Sequence, residues 1–232
     1  MNSFYNKNIA AGLTLGVCLA AAAGVQAAVT MDGVWQVSKP VSRLKTKEGK
    51  TPPLLPAAQQ LYDQRTAQFE KGDRSYDSTL WCKPMGEPRT AFDPEGGIFE
   101  IRINPKVVLF DYTWNRMVRW ITVSNEDVDV IGPAYYGTSN AQWEGATLVV
   151  DAQGFHQETM LDAAGMPHSD QLQMMQRFTL KNNGNTLEET IRFEDPATFS
   201  RPWETVVEYQ RLPDDTLIPE DVCLDRRGIT DY

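Results

Sequence analysis

Residues 172–194 read LQMMQRFTLKNNGNTLEETIRFE. Two runs, Leu172–Leu180 and Leu187–Glu194, flank Asn182-Asn183-Gly184-Asn185, and such an Asn/Gly tetrad between alternating runs signals a β-hairpin. Pairing Leu180 with Leu187 sets Phe178 opposite Glu189, Gln176 opposite Ile191 and Met174 opposite Phe193. That face is apolar except for Gln176 and Glu189. The other face carries Gln173, Arg177, Thr179, Glu188, Thr190 and Arg192, which suits water. A slip of one residue would exchange the faces of both strands, so the pattern specifies the register.

Strand-like runs extend outward from this hairpin. They are Val29–Ser38, Ile98–Asn104, Lys106–Tyr112, Met117–Ser124, Ala146–Asp151 and Trp203–Leu212. One helix is expected over Pro56–Lys71, where Ala58, Leu61, Tyr62, Arg65 and Phe69 form a stripe. Pro56 suits its first turn and Gly72 its end. Residues 39–53 read as a basic, polar loop, and residues 72–97 as a long connection rich in turn formers. A meander of this kind must close or stack to protect its edges. The expectation is a mainly β fold, an antiparallel barrel of about eight strands with one helix near the N-terminus. Such a barrel is wide enough to hold one small ligand.

The chain has 232 residues, 22 Lys+Arg against 31 Asp+Glu, and a net charge of −9. That balance argues against nucleic acid or an anionic membrane as the main partner. Residues 1–27 read as a signal peptide: Lys7 near the start, an uncharged run from Ile9 to Gly24, and small residues in Val25-Gln26-Ala27. Residues 28–232 then form a single exported, periplasmic domain. Val17 before Cys18 is unsuited to lipoprotein processing. No second apolar run of spanning length follows, so no membrane insertion is expected after cleavage. Cys82 and Cys223 are left, and two cysteines in an exported chain usually pair. A zinc site of two Cys and two His matches no compact ligand spacing.

The candidate chemistry is sparse. Glu189 on an apolar face is costly unless paired or protonated. Burial would raise its pKa and suit it to general acid/base work, unless it is a structural carboxylate paired with an arginine. Gln176 could orient a ligand carbonyl or satisfy that carboxylate. His168, in Gly165-Met166-Pro167-His168-Ser169-Asp170, is either a lone acid/base group or a turn histidine. A hydrolase triad is disfavoured, because no Gly-x-Ser-x-Gly elbow exists. His156-Gln157-Glu158 with Asp151 or Asp162 could bind metal, but the segment reads as a solvated face. Trp143, Trp203 and Tyr209 could offer flat contact surface to a ligand. There is no phosphate loop or dinucleotide fingerprint, and neither a cofactor nor a metal is expected.

Several motifs resemble a large group of exported, mostly uncharacterised bacterial proteins. They are Trp143-Glu144-Gly145 through Asp151, Gly154-Phe155, Pro167-His168-Ser169-Asp170, Gln176-Arg177-Phe178, Glu194-Asp195-Pro196 and Arg201-Pro202-Trp203. Cys82 through Arg89 and Val222-Cys223 fit the same group. The group looks lipocalin-like, and Gly33-Val34-Trp35 resembles the Gly-x-Trp of lipocalin first strands. The group more often carries Glu where Gln176 and Asp170 stand. The resemblance implies a calycin-type barrel and centres on Arg177, even though the hairpin register turns that side chain outward.

Three functions are compatible with these readings. The first is a periplasmic barrel binding a small hydrophobic or aromatic molecule through Trp143, Gln176, Trp203 and Tyr209. The second is a cofactor-independent lyase or isomerase, with Glu189 or His168 moving a proton and Arg177 stabilising negative charge. The third is an envelope interaction protein with a filled core.

Overall fold

The computed structural model describes residues 30–95, 97–126, 129–130 and 132–228. The expected signal segment, residues 1–27, lies outside the described residues. Nine strands close into a barrel in sequence order. They are β1 (Gly33–Val37), β2 (Ile98–Asn104), β3 (Val107–Tyr112), β4 (Val118–Val123), β5 (Thr138–Glu144), β6 (Thr147–Gln153), β7 (Gln173–Lys181), β8 (Thr186–Glu194) and β9 (Trp203–Arg211). Strand β9 returns to pair with β1 and closes the barrel.

The β7–β8 hairpin has the expected register: Leu180 faces Leu187, Phe178 faces Glu189, Gln176 faces Ile191 and Met174 faces Phe193. Two features differ from the expected fold. The barrel has nine strands, because β5 (TSNAQWE) is too polar to show an apolar alternation. It is also not wholly antiparallel. Strand β4 meets β5 in parallel, through Thr122–Asn140 and Val123–Ala141.

Helix α1 (Pro56–Glu70) lies where it is expected, but Tyr62 is its one buried residue, and Leu61 is exposed. Two single-turn helices join it, α2 (Arg89–Phe92) and α3 (Cys223–Arg226). The stretch 72–97 is more than a connection. All residues from Met85 to Asp93 are buried, and they plug one end of the barrel. Arg89 holds the plug together. Its guanidinium donates to Asp77 at 2.7 and 3.1 Å and to Asp93 at 2.6 Å, while Arg74 joins Asp77 to Glu95. Asp162 ties the surrounding segments to each other. It accepts from the Leu44 and Met166 amides and from the Tyr62 hydroxyl. A disulfide joins Cys82, at the root of the plug, to Cys223 in α3. Among the described residues, no helix is long and apolar enough to cross a membrane.

Candidate functional site

Strand alternation points Tyr112, Arg119, Gln176, Glu189 and Tyr209 into the barrel, and the plug adds Glu87 from above. All six are buried. Glu87 reaches the axis because Gly86 adopts a φ of +76° against the Tyr135 carbonyl. A Cβ at Gly86 would stand 2.5 Å from that oxygen, so the close approach requires glycine.

The two carboxylates are bridged by one amide. Gln176 Nε2 donates to Glu189 Oε1 at 2.6 Å and to Glu87 Oε2 at 3.2 Å. Each carboxylate also receives a phenol: Tyr209 donates to Glu189 Oε2 at 2.5 Å, and Tyr112 donates to Glu87 Oε1. Arg119 is the one cation in the layer. Its Nη1 lies 3.2 Å from Glu87 Oε2 but is not aligned as a hydrogen bond, whereas Nη2 donates to Ser139 Oγ at 2.9 Å. Arg119 Nε and Gln176 Oε1 are buried without partners.

Two acids thus face one base. Burial, and then the nearby Glu87 charge, push Glu189 up to about 7. The Tyr209 and Gln176 hydrogen bonds and Arg119 only partly offset this rise. Burial raises the Tyr112 and Tyr209 phenols well above their ordinary value, so both remain donors. The layer can therefore hold or release one proton near neutral pH at Glu189. It is sealed from water. Phe110 and Phe178 follow Tyr112 and Gln176 toward the hairpin end, with rings 5.3 Å apart, and Tyr136 stacks on Tyr112 from the plug side at 5.7 Å.

The hairpin end is different. Met31, Ile103, Trp143, Ala146 and Leu180 form the apolar side of an open cavity of about 470 Å³, and Lys181, Asn182 and Asn183 of the β7–β8 turn lie on its polar side. Trp143 is 42% exposed there, on the inward phase of β5.

Among the expected site residues, Gln176, Glu189 and Tyr209 come together. The others do not join them. Trp143 lines the mouth. Trp203 closes the plugged end, stacked on Phe193 at 4.4 Å. The four expected ligand contacts therefore do not share one cavity. Arg177 points outward and pairs with Glu144 at 2.7 Å, because β7 alternation puts it on the solvent face. His168 is buried in the 155–172 segment. It meets Thr159 Oγ1 at 2.7 Å and the Ser169 carbonyl at 2.8 Å, and burial lowers its pKa. That geometry is that of a structural histidine with no contact to Glu189. His156 stacks on Tyr135, Glu158 pairs with Lys83, and Asp162 is held elsewhere, so the weighed metal set is not assembled. Among the described residues, no cluster of three or more His, Cys, Asp or Glu could hold a metal.

Sequence reading missed Glu87 and Arg119. Arg119 had a signal: it sits on the inner phase of β4 with Ile121, the same anomaly that singles out Glu189. Glu87 had none, because it lies between Gly86 and Pro88 in a run of turn formers. No protein-family model, curated protein or solved structure matches the chain.

Proposed function

We propose that this chain is an exported, periplasmic, lipocalin-like barrel that binds a small hydrophobic or aromatic molecule at its hairpin end. The observation that carries this reading is the open, apolar cavity beside the half-exposed Trp143. Apolar concavities with a few polar groups are the usual form of small-molecule sites. The Cys82–Cys223 disulfide is compatible with an oxidising compartment. Trp35 of Gly33-Val34-Trp35 is fully buried, and its indole donates to the Met31 carbonyl at 2.9 Å. This placement supports the lipocalin-like resemblance.

The test is titration with N-phenyl-1-naphthylamine, a neutral aromatic fluorophore. Saturable binding is expected, and Trp143→Ala should weaken it by about tenfold, consistent with loss of one aromatic anchor. A lack of saturable binding, or an unchanged affinity in Trp143→Ala, would overturn the reading and favour a filled-core interaction protein.

A second reading, a cofactor-independent lyase or isomerase, is favoured by Glu189, whose pKa of about 7 suits proton transfer at neutral pH. Under that reading, Glu189→Gln abolishes turnover while binding of the fluorophore survives.

A further inference from the structure

The loop over residues 39–53 is basic in an otherwise acidic chain, and the barrel reading gives it no role. The structure folds it against the start of β9. The Lys47 amide donates to the Glu204 carbonyl at 2.8 Å, and Thr46 closes a tight turn with Lys50 and Gly49 at 2.8 and 2.7 Å. A groove of about 420 Å³ lies between this turn and the β8–β9 corner. Its lining carries Lys47, Lys50, Arg192 and Arg201 against Glu48 and Glu204, an excess of two positive charges. The groove is therefore locally basic on a chain of net charge −9.

The charges are only partly paired internally. Lys47 pairs with Glu204 at 2.6 Å, and Arg192 makes a long 3.5 Å contact with Glu194 outside the groove. Among the described residues, neither the Lys50 nor the Arg201 side chain makes a direct ion pair or hydrogen bond, although Lys50 lies close enough to Glu48 to help hold that exposed carboxyl below its ordinary pKa. Trp203 forms part of the lining, and its buried indole N–H also has no acceptor. Backbone hydrogen bonds hold the turn in place before any ligand arrives, so little ordering remains to be done on binding.

We propose that this groove binds the phosphate-monoester group of a small soluble molecule, at a site separate from the apolar mouth. The excess of two positive charges matches a phosphate monoester, which carries about −1.5 to −2 near pH 7. A guanidinium such as Arg201 suits bidentate contact with its oxygens, and Lys50 supplies a point charge. The volume leaves room for a sugar-sized remainder.

The experiment is calorimetric titration of the full chain with glucose 1-phosphate at constant ionic strength, with glucose and sulfate as controls. Saturable one-site binding of the ester, stronger than that of sulfate and absent for glucose, is expected. The Lys50→Ala/Arg201→Ala double variant should lose about tenfold or more in affinity through two charge-assisted contacts. Both residues are exposed, so that variant should fold normally and still bind N-phenyl-1-naphthylamine like the parent. The Trp203 indole proton should shift in the NMR spectrum, and that of Trp143 should not. Equal affinity for sulfate, unchanged affinity in the double variant, or a still Trp203 resonance would overturn the proposal. Sedimentation with phosphatidic acid vesicles and no response to the free ester would also overturn it, in favour of a lipid surface.

Discussion

Two buried polar layers stand next to each other in this molecule, and they differ in charge balance. In the plug, Arg89 is enclosed by Asp77 and Asp93, and Arg74 links Asp77 to Glu95. Every charge has an opposite one in contact. Burial alone would push Asp77 up, but Arg89 and Arg74 outweigh burial and hold it well below the carboxylate range. In the barrel layer, Glu87 and Glu189 share a single arginine, and Glu189 is pushed up to about 7. The same two ingredients, carboxylates and arginines out of water, give a permanently charged brace in one place and a proton-accepting group in the other. The number of cations decides which. Their responses to pH are therefore opposite. Asp77 contributes stability above its ordinary pKa of 3.8, and that contribution is lost as pH falls through its lower folded value.

The largest effect is expected from breaking the balanced layer. Arg89→Met leaves Asp77 and Asp93 buried in the plug, with Asp77 still touched by Arg74 but Asp93 stripped of the one cation that contacts it among the described residues. Removing one partner of a buried pair costs about 3–5 kcal/mol, and for a domain of this size that lowers the thermal midpoint by about 10 °C. Differential scanning calorimetry at pH 7 reads this directly. A shift within experimental scatter would show that the plug does not depend on its ion pairs.

A smaller effect of different form is expected from the unbalanced layer. With a folded pKa of about 7 against an ordinary 4.5, the folded state keeps a proton that the unfolded chain has released. Stability from this group is fully present below about 4.5 and is lost as pH rises through about 7. The displacement amounts to about 3 kcal/mol at pH 8. Glu189→Gln has no proton to lose, and its amide can still accept from Tyr209. Urea unfolding at pH 5.5 and pH 8 should therefore show the variant gaining on the parent by about 2 kcal/mol between the two conditions. Parallel pH profiles would mean that Glu189 is ionised throughout and that the layer is balanced after all.

The two layers were not equally legible in the sequence. The β7–β8 hairpin could be read residue by residue, because its alternation is strict and its turn is Asn/Gly-rich, and this exposed Gln176 and Glu189. Strand β5 could not be read. Its inward residues begin with Ser139, whose hydroxyl serves Arg119 across the β4–β5 seam, and a polar inward residue leaves no apolar period to detect. The plug was hidden for another reason. Pro84, Gly86 and Pro88 mark turns correctly, but turn signals are local and do not tell a surface loop from one driven into a barrel. Glu87 comes near Glu189 only through tertiary packing, so its contribution to the raised Glu189 pKa, second to burial, has no counterpart in local sequence. The expected arginine partner exists, but it sits against Glu87 rather than Glu189.

The smallest effect is expected on the outer wall, where Arg177 and Glu144 form the exposed counterpart of both layers. The residue pair lies 2.7 Å apart, with side chains 40% and 51% exposed. Water solvates both ions there, so neither must be matched for the fold to stand, and salt screens their attraction. Arg177→Ala should leave the unfolding midpoint unchanged in calorimetry, at low and at high salt. It should also leave N-phenyl-1-naphthylamine affinity at the parent value, because β7 alternation directs the guanidinium away from the barrel interior. This outcome would separate the motif Gln176-Arg177-Phe178 into an inward amide and ring that act in the layer and an outward arginine that does not. A clear loss of affinity in Arg177→Ala would instead place a ligand or partner on the outer wall, and would make the outward face of β7 a working surface rather than a solvated one.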